Sequence, residues 1–252
     1  MKWNEVFCHT FKALSEELNL PSENRSMVDN CRADDSELCL ETVDKGWLTQ
    51  DQMRHAAERY HLGKSRLGKT IYWMIDERGL CHDGHVGNTW ISEILKRRYP
   101  EAAQYIRATH TLFGQHLLCL AESAESAERW ALPIGCAEKN PYNPLFIKKC
   151  VSIVESERSA VLLSELYPQN VWLATVYPAN FTVNQLAPLR GYRVTLFPRT
   201  DPVMDHYVAW LEIADQARRF YHLDISVSSL LEDHATMAQK SRCIDLLEFL
   251  FN

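Results

Sequence analysis

Three short apolar runs, at residues 151–154, 171–176 and 193–198, constrain this chain more than any other feature. They are rich in Val, Leu, Ile and Thr and are bounded by turn residues. Near-continuous runs of this kind suit strands buried on both faces of a parallel sheet, whereas a half-exposed strand would alternate. Between the first two, Ala160, Val161, Leu163, Leu166 and Tyr167 fall at helical spacing, and Pro168 ends that helix. Between the second and third, residues 183–189 form a shorter helical candidate closed by Gly191. Strand, helix, strand, helix, strand predicts an α/β core with a mostly parallel, doubly wound sheet. Residues 203–221 extend it with a long helical pattern (Val208, Trp210, Leu211, Ala214, Ala217, Phe220, Tyr221). Residues 223–227 predict a fourth strand, and 243–251 a final apolar helix docked on the sheet. The α/β domain is expected over 145–252, after an α+β region at 48–144 and an acidic helical arm at 1–47.

The acids at the strand ends give this core its chemical interest. Glu155 follows the first strand and Asp201 follows the third. Ligands of open parallel sheets collect outside those carboxyl ends. Two carboxylates there suit a hard divalent cation such as Mg²⁺, which prefers oxygen ligands and keeps several waters. The phrases IVESERSA, VWLAT, LAPLRGYRVTLFP and KSRCIDLLEFLF go further. With the placement of Glu155 they resemble the Toprim-like, primase-related proteins of bacterial conjugative and other mobile elements, from about residue 50 to the C-terminus.

That resemblance implies a Toprim-like Rossmann-type core, with an acid after the first strand, a glycine pair after the second and Asp-x-Asp after the third. This chain departs from the pattern at two of those places. Ala174-Thr175-Val176-Tyr177-Pro178 stands where the family carries Ala-x-Gly-Gly, and Arg199-Thr200-Asp201 where it carries Asp-x-Asp. Val203 and Met204 replace the acidic and glycine residues that usually follow. Glu155, Asp201 and, more weakly, Asp205 remain as metal-ligand candidates. A guanidinium cannot be deprotonated in a protein. At about 4 Å and an effective dielectric near 20, it disfavours a neighbouring cation by about 4 kcal/mol per unit charge. The expectation is a retained fold whose metal chemistry has been lost.

Composition sets outer limits. With 252 residues, 46 % apolar and 24 % charged, the chain has the make-up of a globular protein with one large or two small domains. No run approaches eighteen apolar residues, so no membrane span is expected. Acids enter too early in the N-terminal stretch for a signal peptide, which makes the cytoplasm the expected location. The eight cysteines form no C-x-x-C pair and read as reduced thiols. Residues 1–50 carry ten acids against five bases, so most of the net charge of −6 lies there. Nucleic-acid binding would therefore need a local basic patch.

Before the core, residues 5–20 predict an amphipathic helix and 22–36 a loop. Thr49 with Gln52 signals the start of a helix over 48–60. Residues 69–76 read as a strand followed by a turn at 77–79, hence a hairpin. Residues 84–88 look like a shortened remnant of the longer meander in the family, and 89–98 like a helix. Lys96, Arg97 and Arg98 suit that helix's C-terminal dipole. With Lys64, Arg66 and Lys69 they also offer a phosphate-contacting face, where Trp73 and Trp90 would stack on bases or be buried as core. Residues 121–128 read as a solvated helical linker, and 141–144 as a domain boundary.

Three further motifs carry little. Cys81, His82 and His85 lack a second ligand pair at zinc-finger distance. Gly63-x4-Gly68-Lys69-Thr70 fits a phosphate-loop pattern but precedes a strand instead of opening a helix. Ser156 and Ser159 have no evident activating histidine. The expectation is a protein that works by binding DNA or a replication, mobilisation or host protein. One rival is a Mg²⁺-dependent phosphotransfer enzyme, with Glu155 as acid/base and Asp201, helped by Asp205, holding the ion. The other is a decoy that sequesters the partner of an active relative through the acidic arm.

Overall fold

Strand β5 (Cys150–Val154) is the axis of the C-terminal half. In the computed structural model, which describes residues 32–65, 67–77, 79, 81–98, 100, 111–118, 150–176 and 181–251, it lies between two parallel partners. The chain divides into two compact units, residues 1–115 and 116–252.

In the second unit, β5 is followed by α4 (Glu157–Leu166), β6 (Val171–Ala174), a 3₁₀ helix (Val183–Leu189) and β7 (Arg193–Leu196). Then come α5 (Asp205–Tyr221), β8 (Asp224–Val227), α6 (Leu230–His234), α7 (Met237–Ser241) and α8 (Leu246–Phe251). The sheet order is β6-β5-β7-β8 and every pairing is parallel, with Val151 opposite Val171 on one side and Val194 on the other. Val151, Ile153 and Val154 are buried, because a central strand covered on both faces has no solvent side. Burial of each such side chain contributes about 1.5–3 kcal/mol. On edge strand β8, Arg218 Nε donates to the carbonyl of Ile225 (3.0 Å), covering one group that would otherwise invite another strand.

The 183–189 segment is 3₁₀ rather than α. Pro188 lies inside it and cannot donate to an α-helical ladder. Its entry is fixed by Thr182 N–H donating to the Gln185 side chain (2.8 Å). Just before it, Phe181 packs on Trp210 of α5, with ring centroids 4.9 Å apart. The short helices α6 and α7 escape a periodicity reading because five residues hold barely more than one turn.

The first unit contains α1 (Glu37–Asp44), α2 (Gln50–Arg59), β1 (Gly63–Lys64), β2 (Thr70–Ile75), β3 (Cys81–Val86), β4 (Thr89–Trp90) and α3 (Ile91–Arg98). The four strands form an antiparallel meander in sequence order. The expected hairpin is its centre, and the capping box of Thr49 and Gln52 starts α2. Two boundaries differ from the expectation. Residues 84–86 belong to β3, and Thr89–Trp90 is a strand whose pairing with β3 delays the helix to Ile91. Residues 32–47 also belong with the meander rather than with a separate arm. Glu37 N–H donates to Gly68 O (2.8 Å), Leu38 N–H donates to Thr70 Oγ1 (3.0 Å), and Leu38 and Cys39 are buried. The helix expected at 5–20, the linker at 121–128 and the boundary at 141–144 lie outside the described residues.

Opposite Trp73 in the β2–β3 pair stands Gly84, and a Cβ there would meet Trp73 Cε3 at 2.6 Å. Trp73 is fully buried and cannot swing away. Gly84→Ala is expected to destabilise the protein by about 1–3 kcal/mol through overpacking. Urea denaturation should show a lower midpoint with an unchanged slope.

Candidate functional site at the carboxyl edge of the parallel sheet

The outgoing connections of β5 and β7 run to opposite sides of the sheet, β5 to β6 and β7 to β8. The gap between their carboxyl ends is therefore the topological switch point, where such sheets form a crevice. Two segments border it. After β5, Glu155 accepts Val176 N–H at its main-chain oxygen (2.9 Å), and α4 begins two residues later. After β7, Phe197 N–H donates to Ile153 O (2.8 Å) and Thr200 N–H to Ile244 O (3.0 Å). The 197–201 segment is thus held against both the central strand and the approach to α8.

This brings Arg199 onto Glu155. Arg199 Nε donates to Glu155 Oε2 at 2.5 Å, and the Arg199 N–H lies 3.4 Å from Oε1. His206 Nδ1 is 3.3 Å from that same Oε1. Glu155 is only 2 % exposed, whereas the Arg199 and His206 side chains are each about one-third exposed. An unpaired carboxylate at such depth would be very costly. Its two oxygens face a guanidinium on one side and an imidazole on the other.

Asp201 does different work. Its Oδ1 accepts the N–H groups of Val203 (2.8 Å) and Asp205 (3.2 Å), and its Oδ2 accepts that of His206 (3.0 Å). These are donors at the start of α5 that have no partner within the helix. Burial alone would raise the carboxyl of Asp201, but the three N–H donors, with His206 nearby, outweigh it and hold the group below the ordinary carboxylate value. Asp205 is exposed, and only its N–H joins this arrangement. Among the described residues, no group of three or more His, Cys, Asp or Glu side chains is placed to hold a metal ion.

Two residues here have left-handed backbone, Val176 (φ +70°) and Met204 (φ +64°). A β-branched residue in that region is strained by about 1–2 kcal/mol.

His206 escaped the reading of the sequence. The available signal was Asp201 ahead of a long helical pattern, which marks a cap and so brings the first helical turn to the site.

Two of the basic residues that the sequence singled out are paired with acids. Lys64 pairs with Asp35, and Lys69 with Glu37 at 2.7 Å. Lys96 is half-buried and Arg97 exposed, while Arg66 and the side chain of Arg98 lie outside the described residues. Exposed pairs of this kind are worth only about 0–1 kcal/mol, so phosphates would readily displace them. Trp73 is core and unavailable for stacking; Trp90 is half-buried against His85, with ring centroids 5.1 Å apart.

Cys81, His82 and His85 lie on strand β3, not on an exposed loop. Strand alternation sends His82 and His85 to opposite faces. His82 Nε2 is 2.8 Å from Asp76 Oδ2, and His85 Nδ1 is 2.9 Å from Gly87 O. Burial, with Asp83 and Asp76 nearby, pushes the Cys81 thiol up to about 12, which suits an inert buried thiol and not a metal-binding thiolate. The Gly63–Thr70 segment is a strand–turn–strand and opens no helix.

The fold and site define a mixed α/β protein with a four-stranded parallel sheet and an ion pair in its switch-point crevice. A family model described as a domain of unknown function (DUF6371) matches residues 145–200, a span holding β5, β6, β7 and the Glu155–Arg199 pair. No curated protein and no solved structure matches the chain.

Removing Arg199 leaves Glu155 buried with half its compensation, so Arg199→Ala is expected to cost about 2–4 kcal/mol, discounted for the arginine's exposure. Glu155→Gln removes the buried charge itself and should cost less, a ranking that chemical denaturation of both variants reads directly. The depressed pKa of Asp201 stabilises the fold above its unfolded value, and that contribution disappears as pH falls through the folded value. The stability gap between wild type and Asp201→Asn should therefore be full at neutral pH and shrink below pH ~4. A gap independent of pH would show that the charge of Asp201 is not what caps α5.

Proposed function

We propose that this is a degenerate Toprim-domain protein of a bacterial mobile element, resident in the cytoplasm, that acts by binding rather than by catalysis. The observation that carries the reading is the Arg199–Glu155 ion pair in the switch-point crevice. The guanidinium occupies the neighbourhood in which a Toprim enzyme would hold its divalent cation. Glu155 is thereby a relic whose charge is balanced from within, and Asp201 is committed to the start of α5. Mg²⁺ entering this crevice would meet a fixed positive charge and would have to displace it from a buried carboxylate. At an effective dielectric near 20, that opposition amounts to several kcal/mol. In this reading the partner is DNA or a protein of replication, mobilisation or the host. Lys96, Arg97, Arg98, Lys64, Arg66 and Lys69 form the candidate phosphate-contacting set. No helix among the described residues is long and apolar enough to cross a membrane.

The same residues frame the enzymatic alternative, in which Glu155 serves as acid/base and Asp201 with Asp205 holds one Mg²⁺. Thermal unfolding and calorimetric titration with Mg²⁺ and Mn²⁺ separate the two. Wild type and Glu155→Ala should each respond to the metals no more than a non-specific salt would account for, while Arg199→Asp should gain a saturable response. A nucleotidyl-transfer or nuclease activity of wild type that requires Mg²⁺ and vanishes in Glu155→Gln would overturn the proposal. DNA binding, if it is the partner mode, should weaken steeply with salt and be lost on Lys96→Ala/Arg97→Ala/Arg98→Ala substitution.

A further inference from the structure

The opening turns of α5 carry apolar side chains that no described residue of the second unit covers. Val203 is 71 % exposed and Val208 48 %, and Met204 and Leu211 are also exposed. Met204, Val208 and Leu211 recur at spacings of four and three residues, which places them along one side of the helix. Met204 presents its side chain from the left-handed backbone noted above, a conformation usually left to glycine or asparagine.

The charges around this stripe decide what fits on it. Asp205 and Glu212 are exposed beside it, and among the described residues no base pairs with either carboxylate. The basic residues of α5 are engaged elsewhere, His206 with Glu155 (3.3 Å), Arg219 with Asp215 (2.6 Å) and Arg218 with the Ile225 carbonyl (3.0 Å). A second copy docked about a twofold axis on this stripe would set Asp205 and Glu212 of one copy near the same acids of the other. Nucleic acid or an anionic bilayer would meet like charge as well. A basic, partly apolar segment satisfies both features of the surface.

We infer that the Val203–Met204–Val208–Leu211 stripe, bordered by Asp205 and Glu212, docks an amphipathic helix of a partner protein whose apolar face is flanked by Lys or Arg. The inference rests on the binding reading of the preceding subsection and gives it a surface on the second unit. Each can fail separately, because the metal titrations bear on the crevice and the following test bears on the stripe.

The test uses the full chain with ¹³C-methyl-labelled methionine, the Met204 signal being assigned by its loss in Met204→Leu. The probe is a synthetic amphipathic helix with a leucine stripe bordered by lysines. Two controls have the lysines replaced by glutamates, or the same residues shuffled to destroy the stripe. The lysine helix is expected to shift the Met204 methyl saturably and to bind at least about tenfold more tightly than either control. Val208→Ser with Leu211→Ser should weaken it about tenfold, while Asp205→Asn with Glu212→Gln should weaken it several-fold and remove most of its salt dependence. Because all four positions are on the surface, circular dichroism and the unfolding midpoint of these variants should match wild type, which separates lost binding from lost folding. An unmoved Met204 methyl, or equal affinity for the lysine helix and its shuffled form, would overturn the inference.

Discussion

The buried carboxylate of Glu155 is the constraint around which the second unit is arranged. A charge at the end of a central strand, with almost no access to water, is costly unless a counter-charge and hydrogen bonds face it. Arg199 supplies that counter-charge from the segment after β7, and His206 approaches from the first turn of α5. Three elements are thus tied to one point: the end of β5, the turn after β7 and the start of α5. Asp201 strengthens the same junction by accepting three N–H groups of that helix entry. The approach to α8 adds a further tie, through Thr200 to Ile244 and through Ser159 to Asp245.

This arrangement turns an electrostatic liability into a structural joint. A crevice at a switch point ordinarily exposes polar groups for a ligand to satisfy. Here the carboxylates of Glu155 and Asp201 are satisfied from within the chain, and the shape of the joint depends on a salt bridge that is solvent-accessible on only one side. The left-handed backbone of Val176 and Met204 lies on the loops around the crevice. Strain of this kind persists only where the surrounding structure over-determines the local conformation. The parallel pairing of β5 with both neighbours, and the packing of α5 on β8, supply that over-determination.

The two units contrast in how they use charge. In the second, the decisive pair has its carboxylate, Glu155, buried. In the first, the ion pairs Lys64–Asp35 and Lys69–Glu37 are partly or largely exposed and link the sheet to the segment around α1. Such pairs add little stability, and the first unit relies instead on apolar and aromatic packing. Tyr60 stacks on Phe113 at 5.2 Å, Tyr72 meets Phe113 edge-on, and Trp73 covers Gly84. A basic residue in the first unit is therefore more easily redirected to an outside ligand than Arg199 is in the second.

Much of the fold could be read from local pattern. The runs around Val151, Leu173 and Val194 announced buried strands because they are short, rich in Val, Leu, Ile and Thr, and bounded by turn residues, and Thr49 with Gln52 announced a helix start. The sequence also placed Glu155 and Asp201 at strand ends, since that follows from where the apolar runs stop. It could not say that Asp201 would turn to the N–H groups of Val203, Asp205 and His206, because a cap and a metal ligand use the same carboxylate. Nor could it send His82 and His85 to opposite faces of one strand, because the residues between Cys81 and Val86 carry little of the apolar pattern by which strands are recognised. The pairing of Arg199 with Glu155 joins residues 44 positions apart. It was decided only when β7 settled beside β5 and carried a guanidinium to a carboxylate that had no water to turn to.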